Sequence, residues 1–340
     1  MEKRNKAVLI RLTEWEHTYL KKQSSNAGMK MEPYVRNLIM GKRVLITGTG
    51  GYIGTSFEQY ISNLNGNMPQ NLWHVTFVSM RNEKWKEMDF AEYDAILHAA
   101  AIVHKKETPD MEQLYFDVNC NLTKELAEKA KADMQAKQEV TGIAHKMQFV
   151  FLSTMSVYGI VTGRITVNTK PEPTNFYGKS KLAAEEALQA MQSEDFLVSI
   201  VRPPMIYGKE CTGNYSLLEK LATKIPVFPK INNERSMLYI DNLSEFLRLA
   251  MENEATGIFC PQNQEFVNTS EMVAKIRKSY GKAGVTIPGF GWLLNILAGK
   301  INLFAKVFGT LTYDKSMSVY KNVGNYQIVD FGESIHGSKH

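Results

Sequence analysis

Tyr177 and Lys181 stand four residues apart in Tyr177-Gly178-Lys179-Ser180-Lys181, a spacing that puts both on one face of a helix. An ammonium group near a phenol favours the phenolate and brings its pKa down from about 10 towards the working pH. Such a pair can take the proton of an alcohol as hydride leaves its carbon, or return it in the reverse direction. A Y-x-x-x-K arises by chance about as often as not in a chain of this length, so its weight comes from its neighbours. One neighbour is Phe151-Leu152-Ser153-Thr154-Met155-Ser156-Val157-Tyr158-Gly159, where hydroxyls close an apolar run. A hydroxyl at the carboxyl end of a central strand sits over the ligand crevice of an open α/β sheet. Taken singly, Ser153 or Thr154 reads as a local backbone cap.

A third group precedes these. Gly48, Gly51 and Gly54, in Thr47-Gly48-Thr49-Gly50-Gly51-Tyr52-Ile53-Gly54, follow an apolar strand and open a helix. A dinucleotide needs a tight turn there, backbone without Cβ against its pyrophosphate, and a helix packed closely on the strand. The helix N-terminus offers free N–H groups and a positive dipole end to the phosphates. The second strand ends in Val78-Ser79-Met80-Arg81, without the carboxylate that a plain ribose diol prefers. Ser79 leaves room for a 2′-phosphate and Arg81 is placed to pair with it. An exposed arginine with no ligand role is the alternative. The cofactor is NAD or NADP, with a slight lean to NADP.

G-x-x-G-x-x-G, then ST-x-x-VYG, then Y-x-x-x-K, then Arg202-Pro203-Pro204-Met205-Ile206-Tyr207-Gly208, in this order, resemble the extended short-chain dehydrogenase/reductases. Within these, the chain looks most like the bacterial nucleotide-sugar 4-epimerases and 4-ketoreductases, over roughly Lys42 to Ile335. The resemblance implies Thr154, Tyr177 and Lys181 as the catalytic set. It implies cofactor contacts from Gly48, Gly51, Tyr52, Ile53 and Gly54, and from Asp89 and Phe90 at the adenine. Ala99, Ala100 and Ala101 after His98, and Pro204, belong to the same implied set. Asn119 resembles the asparagine that steadies the active-site helix beside Tyr177 and Lys181. On the substrate side, Asn214 and Arg235 look like diphosphate contacts of a UDP-sugar, and Phe228 lies where the base would. A turn, a surface charge and a core position are their plain alternatives. Met205 departs from the asparagine that many relatives place near the substrate.

Three chemistries share this machinery. A 4,6-dehydratase of the family needs an Asp-Glu pair directly after the catalytic threonine, and here Met155 and Ser156 stand there; dehydration is disfavoured. A 4-epimerase oxidises C4 and returns hydride to the other face. A 4-ketoreductase consumes NADPH once. The absent carboxylate after the second strand favours the reductase and overall likeness the epimerase, which is the expectation carried forward.

These residues need elements to hold them. Strands are predicted at Arg43–Thr47, His74–Ser79, Ala95–His98, Gln148–Ser153 and Leu197–Arg202, with helices at Met111–Ala136 and Ser180–Met191 between them. Alternating strands and helices predict an α/β fold, a Rossmann-type doubly wound parallel sheet. The expected division is a front segment at 1–40, a dinucleotide-binding domain at 41–207, and a smaller, mainly substrate-binding lobe at 208–335 with some return to the core.

Of the 340 residues, 44% are hydrophobic and 22% charged, as in a globular chain with a substantial core. Cys120, Cys211 and Cys260 are too far apart for a metal knuckle or a disulfide framework. A reducing cytoplasm is the expected location, since the start of the chain lacks the apolar core and cleavage site of a signal peptide. Residues 1–43 carry ten Lys/Arg against four Asp/Glu, and the rest is nearly neutral. A strand at Ala7–Leu12, a helix opened by a Thr13/Glu16 capping box and ended near Gly28, and a second helix from Pro33 resemble a ribbon-helix-helix module. Ala7 and Leu9 at outward strand positions are poor base readers, which favours an appendage over a working DNA-binding unit. The other class of reading, a DNA-binding regulator with a redox-sensing Rossmann domain, rests on this basic front. From Ile287 to Gly309 the chain is strongly apolar, but Lys300 and Lys306 interrupt it. A buried or substrate-covering helix pair is expected there, with no membrane insertion. Apolar helical surfaces and the resemblance imply a homodimer.

Overall fold

The computed structural model describes residues 11–26, 31, 35, 41–67, 72–103, 108–288 and 309–337. The expected strand at 7–12 and the second helix from Pro33 lie outside or almost outside these, as does most of the apolar stretch 287–309.

Six strands build one parallel sheet: β1 (Lys42–Thr47), β2 (Trp73–Val78), β3 (Ala95–His98), β4 (Met147–Leu152), β5 (Phe196–Val201) and β6 (Gly257–Phe259). Their order is β6-β5-β4-β3-β1-β2, with every pairing parallel. The chain runs from β1 outward to β2 and then returns to β3 on the other side of β1. The switch point, where an open sheet leaves a crevice at the strand ends, therefore falls between β1 and β3.

Both faces of the sheet are covered, which is why its strands are continuous apolar runs. Val44, Ile46, Leu97 and Val150 point to one side, against Phe57 and Ile61 of α2 (Tyr52–Asn67) and Leu243, Phe246 and Leu247 of α6 (Ile240–Glu252). Leu45, Ile96, Phe149 and Phe151 point to the other, against Leu126, Ala127 and Ala130 of α3 (Leu122–Thr141) and Ala184 and Leu188 of α4 (Phe176–Met191). The period-2 alternation of a strand sorts neighbours in sequence onto opposite layers.

Each of the five strands predicted from Arg43 onward is present, shifted by at most one residue. Two helical expectations change. The segment Met111–Ala136 begins as a 3-10 turn at Pro109–Met111, passes through Glu112–Phe116 and a π-turn at Asp117–Asn121, and only then becomes α3. Helix α4 starts at Phe176, four residues before Ser180, because the Asn175 side chain caps it by accepting from Gly178 N–H at 2.7 Å. Tyr177 thus sits in the first turn. At the front, α1 (Glu14–Asn26) opens with the expected capping box: Thr13 N–H donates to Glu16 Oε2 at 2.8 Å, and Glu16 N–H to Thr13 Oγ1 at 3.3 Å. The later chain returns to the sheet through α6 and β6. It also contributes α5 (Asn214–Lys224) and α7 (Thr269–Ser279) and strands of three short parallel ribbons, Val227–Pro229 with Val285–Ile287, Met205–Tyr207 with Met237–Tyr239, and Gly163–Ile165 with Leu311–Tyr313.

Candidate active site

The glycine loop closes the switch point. Gly48 has φ +93°, and a Cβ there would lie 3.3 Å from Ala100; the loop after β1 thus packs on the Ala99–Ala101 loop after β3. Gly50, which the G-x-x-G-x-x-G spacing passes over, also has positive φ (+71°) and open space at its Cβ position. A Cβ on Gly54 would meet Ile46 Cγ2 at 2.9 Å and Phe77 at 3.2 Å, so this residue lets α2 approach the sheet. Thr55 N–H bonds Gly51 O at 3.0 Å, which leaves the amides of Gly51, Tyr52 and Ile53 as the unpaired first turn of a helix. An open, Cβ-free cradle at a helix N-terminus suits a pyrophosphate. The Tyr52 hydroxyl is buried beside Cys211 and lies 2.7 Å from where a Cβ on Gly208 would be.

A buried, one-directional chain of hydrogen bonds runs from this crevice towards α4. Thr123 Oγ1 donates to Asn119 O (2.9 Å), so it accepts from His98 Nε2 (2.8 Å). His98 Nδ1 then accepts from Thr47 Oγ1 (2.6 Å), which in turn accepts weakly from Ala100 N–H (3.4 Å). Burial pushes the His98 pKa down to about 3, aided by the nearby Lys181 charge, and the ring stays neutral. The Asn119 side chain accepts from Ile102 N–H (2.8 Å) and donates to Ile102 O (3.2 Å) and Ser180 Oγ (3.1 Å). The π-turn at 117–121 aims it there. Asn119, fully buried, therefore positions the loop and α4 rather than offering a free group to a ligand.

At the end of β4, Thr154 leaves the strand and caps the turn Met155–Tyr158. Its Oγ1 accepts from Ser156 N–H at 3.1 Å, and its hydroxyl bonds the Tyr177 phenol. Burial raises the Tyr177 pKa to about 12, against the lowering effect of that hydrogen bond. Lys181 is buried, donates to Leu152 O at 2.7 Å and lies 4.4 Å from the centre of the Phe151 ring. Loss of hydration brings its pKa down to about 7, with Glu185 opposing. Here the arrangement differs from the sequence reading: the Lys181 ammonium is engaged by the strand end, and burial, not the lysine, dominates the phenol.

Glu185, one further helical turn on, was not foreseen. It is fully buried and accepts from Ser153 Oγ and from Arg202, whose Nη2 lies 2.5 Å away; Arg202 Nη1 donates to the Tyr158 hydroxyl at 2.8 Å. The i, i+4, i+8 series Tyr177, Lys181, Glu185 was the available signal. Glu185 thus fastens α4 to the ends of β4 and β5 and, through Arg202, to the turn Met155–Tyr158. Pro204, buried after β5, follows Pro203, whose carbonyl accepts from Met155 N–H at 3.1 Å.

The remaining predicted contacts are spread out. Ser79 Oγ accepts from Arg81 N–H at 3.3 Å in a local turn, and the Arg81 side chain is exposed. Asp89 caps its own turn through Ala91 N–H (2.9 Å). The Phe90 ring is fully buried, stacked on Trp85 at 6.3 Å, so the adenine expectation narrows to Asp89 and the backbone. Asn214 opens α5. Phe228 is buried and lines a cavity of about 150 Å³ with Ser270, Val273 and Arg277, without Thr154, Tyr177 or Arg235. Arg235 is 7% exposed, donates from Nη1 to Gly309 O at 2.7 Å, and has its Nε without a partner. Burial brings its pKa down to about 10, and among the described residues no carboxylate pairs with it. A buried cation in this state favours an anionic ligand.

The profile of the NAD dependent epimerase/dehydratase family matches residues 44–259, and that of the NikA-like mobilization proteins matches residues 2–50. An N-acetyl-alpha-D-glucosaminyl-diphospho-ditrans,octacis-undecaprenol 4-epimerase of Escherichia coli O157:H7 is 28% identical over 72% of this chain and 74% of its own length. A UDP-glucose 4-epimerase of Vibrio cholerae is 25% identical over 82% and 88%. A solved UDP-glucuronic acid 4-epimerase of Bacillus cereus, in complex with NAD, superposes with a TM-score of 0.62 over 87% of this chain and 94% of its own, at 17% identity. With the glycine loop, the Thr154–Tyr177 pair and Lys181 at one crevice, the chain is an enzyme of the NAD dependent epimerase/dehydratase family.

Proposed function

We propose that the protein is a 4-epimerase of a UDP-hexose. The observation that carries this reading is the Thr154–Tyr177 hydrogen bond at the carboxyl end of β4, followed by Met155 and Ser156 where a dehydratase needs carboxyl groups. Gly48, Gly51, Gly54 and the first amides of α2 would hold NAD, with Asp89 at the adenine and Ala99–Ala101 along its side. Bound NAD supplies a reversible hydride acceptor at the sugar carbon. Tyr177 removes the C4 hydroxyl proton and later returns it, with Thr154 hydrogen-bonded to the same oxygen. Lys181 holds the strand end and its positive charge favours the ionised phenol. Asn214 and Arg235 take the diphosphate and Phe228 lies towards the base, within a lobe that occupies mainly residues 208–335. The enzyme works as a cytoplasmic homodimer, and residues 1–40 are a ribbon-helix-helix appendage.

Incubation with UDP-glucose and UDP-N-acetylglucosamine tests this: a C4 epimer should form without net NADH or NADPH change. The absent carboxylate after β2 favours a second reading, an NADPH-dependent 4-ketoreductase. Stoichiometric loss of NADPH with a 4-keto sugar would establish it instead. The substrate in the name of the E. coli relative raises a further carrier, a polyprenyl diphosphate, for the same sugar chemistry. A DNA-binding regulator is disfavoured by the catalytic set; a gel shift with the full chain, positive and lost on removal of residues 1–39, would restore it.

A further inference from the structure

One face of the molecule carries charge and apolar area that the proposed reaction does not use. Residues 272–288 contain no Asp or Glu but four basic residues, Lys275, Arg277, Lys278 and Lys282. This stretch packs against α5 and the segment that follows it. In the ribbon, Val227 pairs with Val285 and Pro229 with Ile287. Strand alternation puts these on one side and the buried Phe228 on the other. Val227, Val285 and Ile287 are 46%, 63% and 36% exposed, and the adjoining Ile225 is 40% exposed. Around them Lys220, Lys224, Lys278 and Lys282 are exposed, whereas Glu219, the carboxylate of α5, is buried.

The face is rigidly built. Arg277 donates from Nη1 to Ala222 O (2.6 Å) and Ile225 O (2.7 Å), and from Nε to Ala283 O (3.0 Å). It thereby fastens the end of α5, α7 and the turn before Val285. A Cβ on Gly284 would lie 2.2 Å from Arg277 Nε, so the turn closes directly on the guanidinium.

Aliphatic tips interleaved with ammonium groups, with no exposed carboxylate among them, complement an anionic bilayer: apolar groups reach the acyl boundary and lysines the headgroup phosphates. A second copy of the same face would set lysine against lysine. We propose that the face formed by α5, the Val227–Pro229/Val285–Ile287 ribbon and the start of the 281–288 turn is a peripheral docking surface for anionic membrane lipid. The protein would lie on the membrane rather than cross it; among the described residues no helix is long and apolar enough to span. The inference goes beyond the proposed reaction and does not depend on which diphosphate carries the sugar.

The test is co-sedimentation of the full chain with vesicles of phosphatidylcholine alone or with about one third phosphatidylglycerol. The wild-type protein should sediment with the anionic vesicles only, and less as salt is raised. Lys278→Glu/Lys282→Glu and Val285→Ser/Ile287→Ser should each lower the bound fraction about tenfold or more, with thermal unfolding by circular dichroism verifying that both are folded. Failure to bind anionic vesicles, equal binding to neutral ones, or undiminished binding by both folded variants would each overturn the proposal. A change in solution mass on making these variants would do so too, by assigning the face to a second copy.

Discussion

The most consequential residue after Tyr177 is Lys181, because its burial costs the folded state something that depends on pH. Its folded pKa, about 7, lies below the unfolded value of about 10.4. Between these values the unfolded chain binds more protons, so the Lys181 contribution to stability improves as pH rises from about 7 towards 10. Thermal melts of wild type and Lys181→Met across this range should show the wild type gaining on the variant with pH; parallel curves would place the ammonium in a solvated setting. Glu185 instead stabilises the fold by pairing with Arg202. Replacing it by Gln leaves Arg202 buried without its carboxylate, and a loss of about 3–5 kcal/mol in urea unfolding is expected. A loss under 1 kcal/mol would show that the Tyr158 hydroxyl suffices to hold Arg202. Tyr177, Lys181 and Thr154 were legible as residue types at a spacing. Glu185 and His98 were not, since a buried carboxylate or imidazole acquires its role only from partners far away in sequence, here Arg202 and Thr123.

At the scale of elements, the sheet was readable because its strands are buried on both faces and appear as uninterrupted apolar runs such as Met147–Leu152. Boundaries were less so. The start of α4 depends on one side-chain cap, Asn175, and the π-turn before α3 has no sequence period of its own. The short strand β6 carries too few residues to show alternation. The glycine loop illustrates what spacing does and does not convey: Gly54 was expected to allow close packing, and its neighbours Ile46 and Phe77 now give that a distance. Gly54→Ala should cost about 1–3 kcal/mol by overpacking and weaken NAD binding through a displaced α2. Unchanged unfolding midpoint and unchanged cofactor affinity would mean that Ile46 yields freely.

Over the whole molecule, the basic front and the enzyme match different families, one over residues 2–50 and the other over 44–259, with an overlap at 44–50. Removal of residues 1–39 should leave turnover within about twofold, because every residue of the proposed catalytic set lies beyond them and surface segments away from a site contribute little. A collapse of activity would make the appendage part of the working assembly. The reaction itself is tested most directly with a UDP-hexose carrying deuterium at C4. The account predicts an epimer that retains the label at C4, formed by wild type and not by Tyr177→Phe, because the same hydride leaves and returns within one bound complex. Epimer that has exchanged its C4 label with solvent, or full activity in Tyr177→Phe, would contradict it.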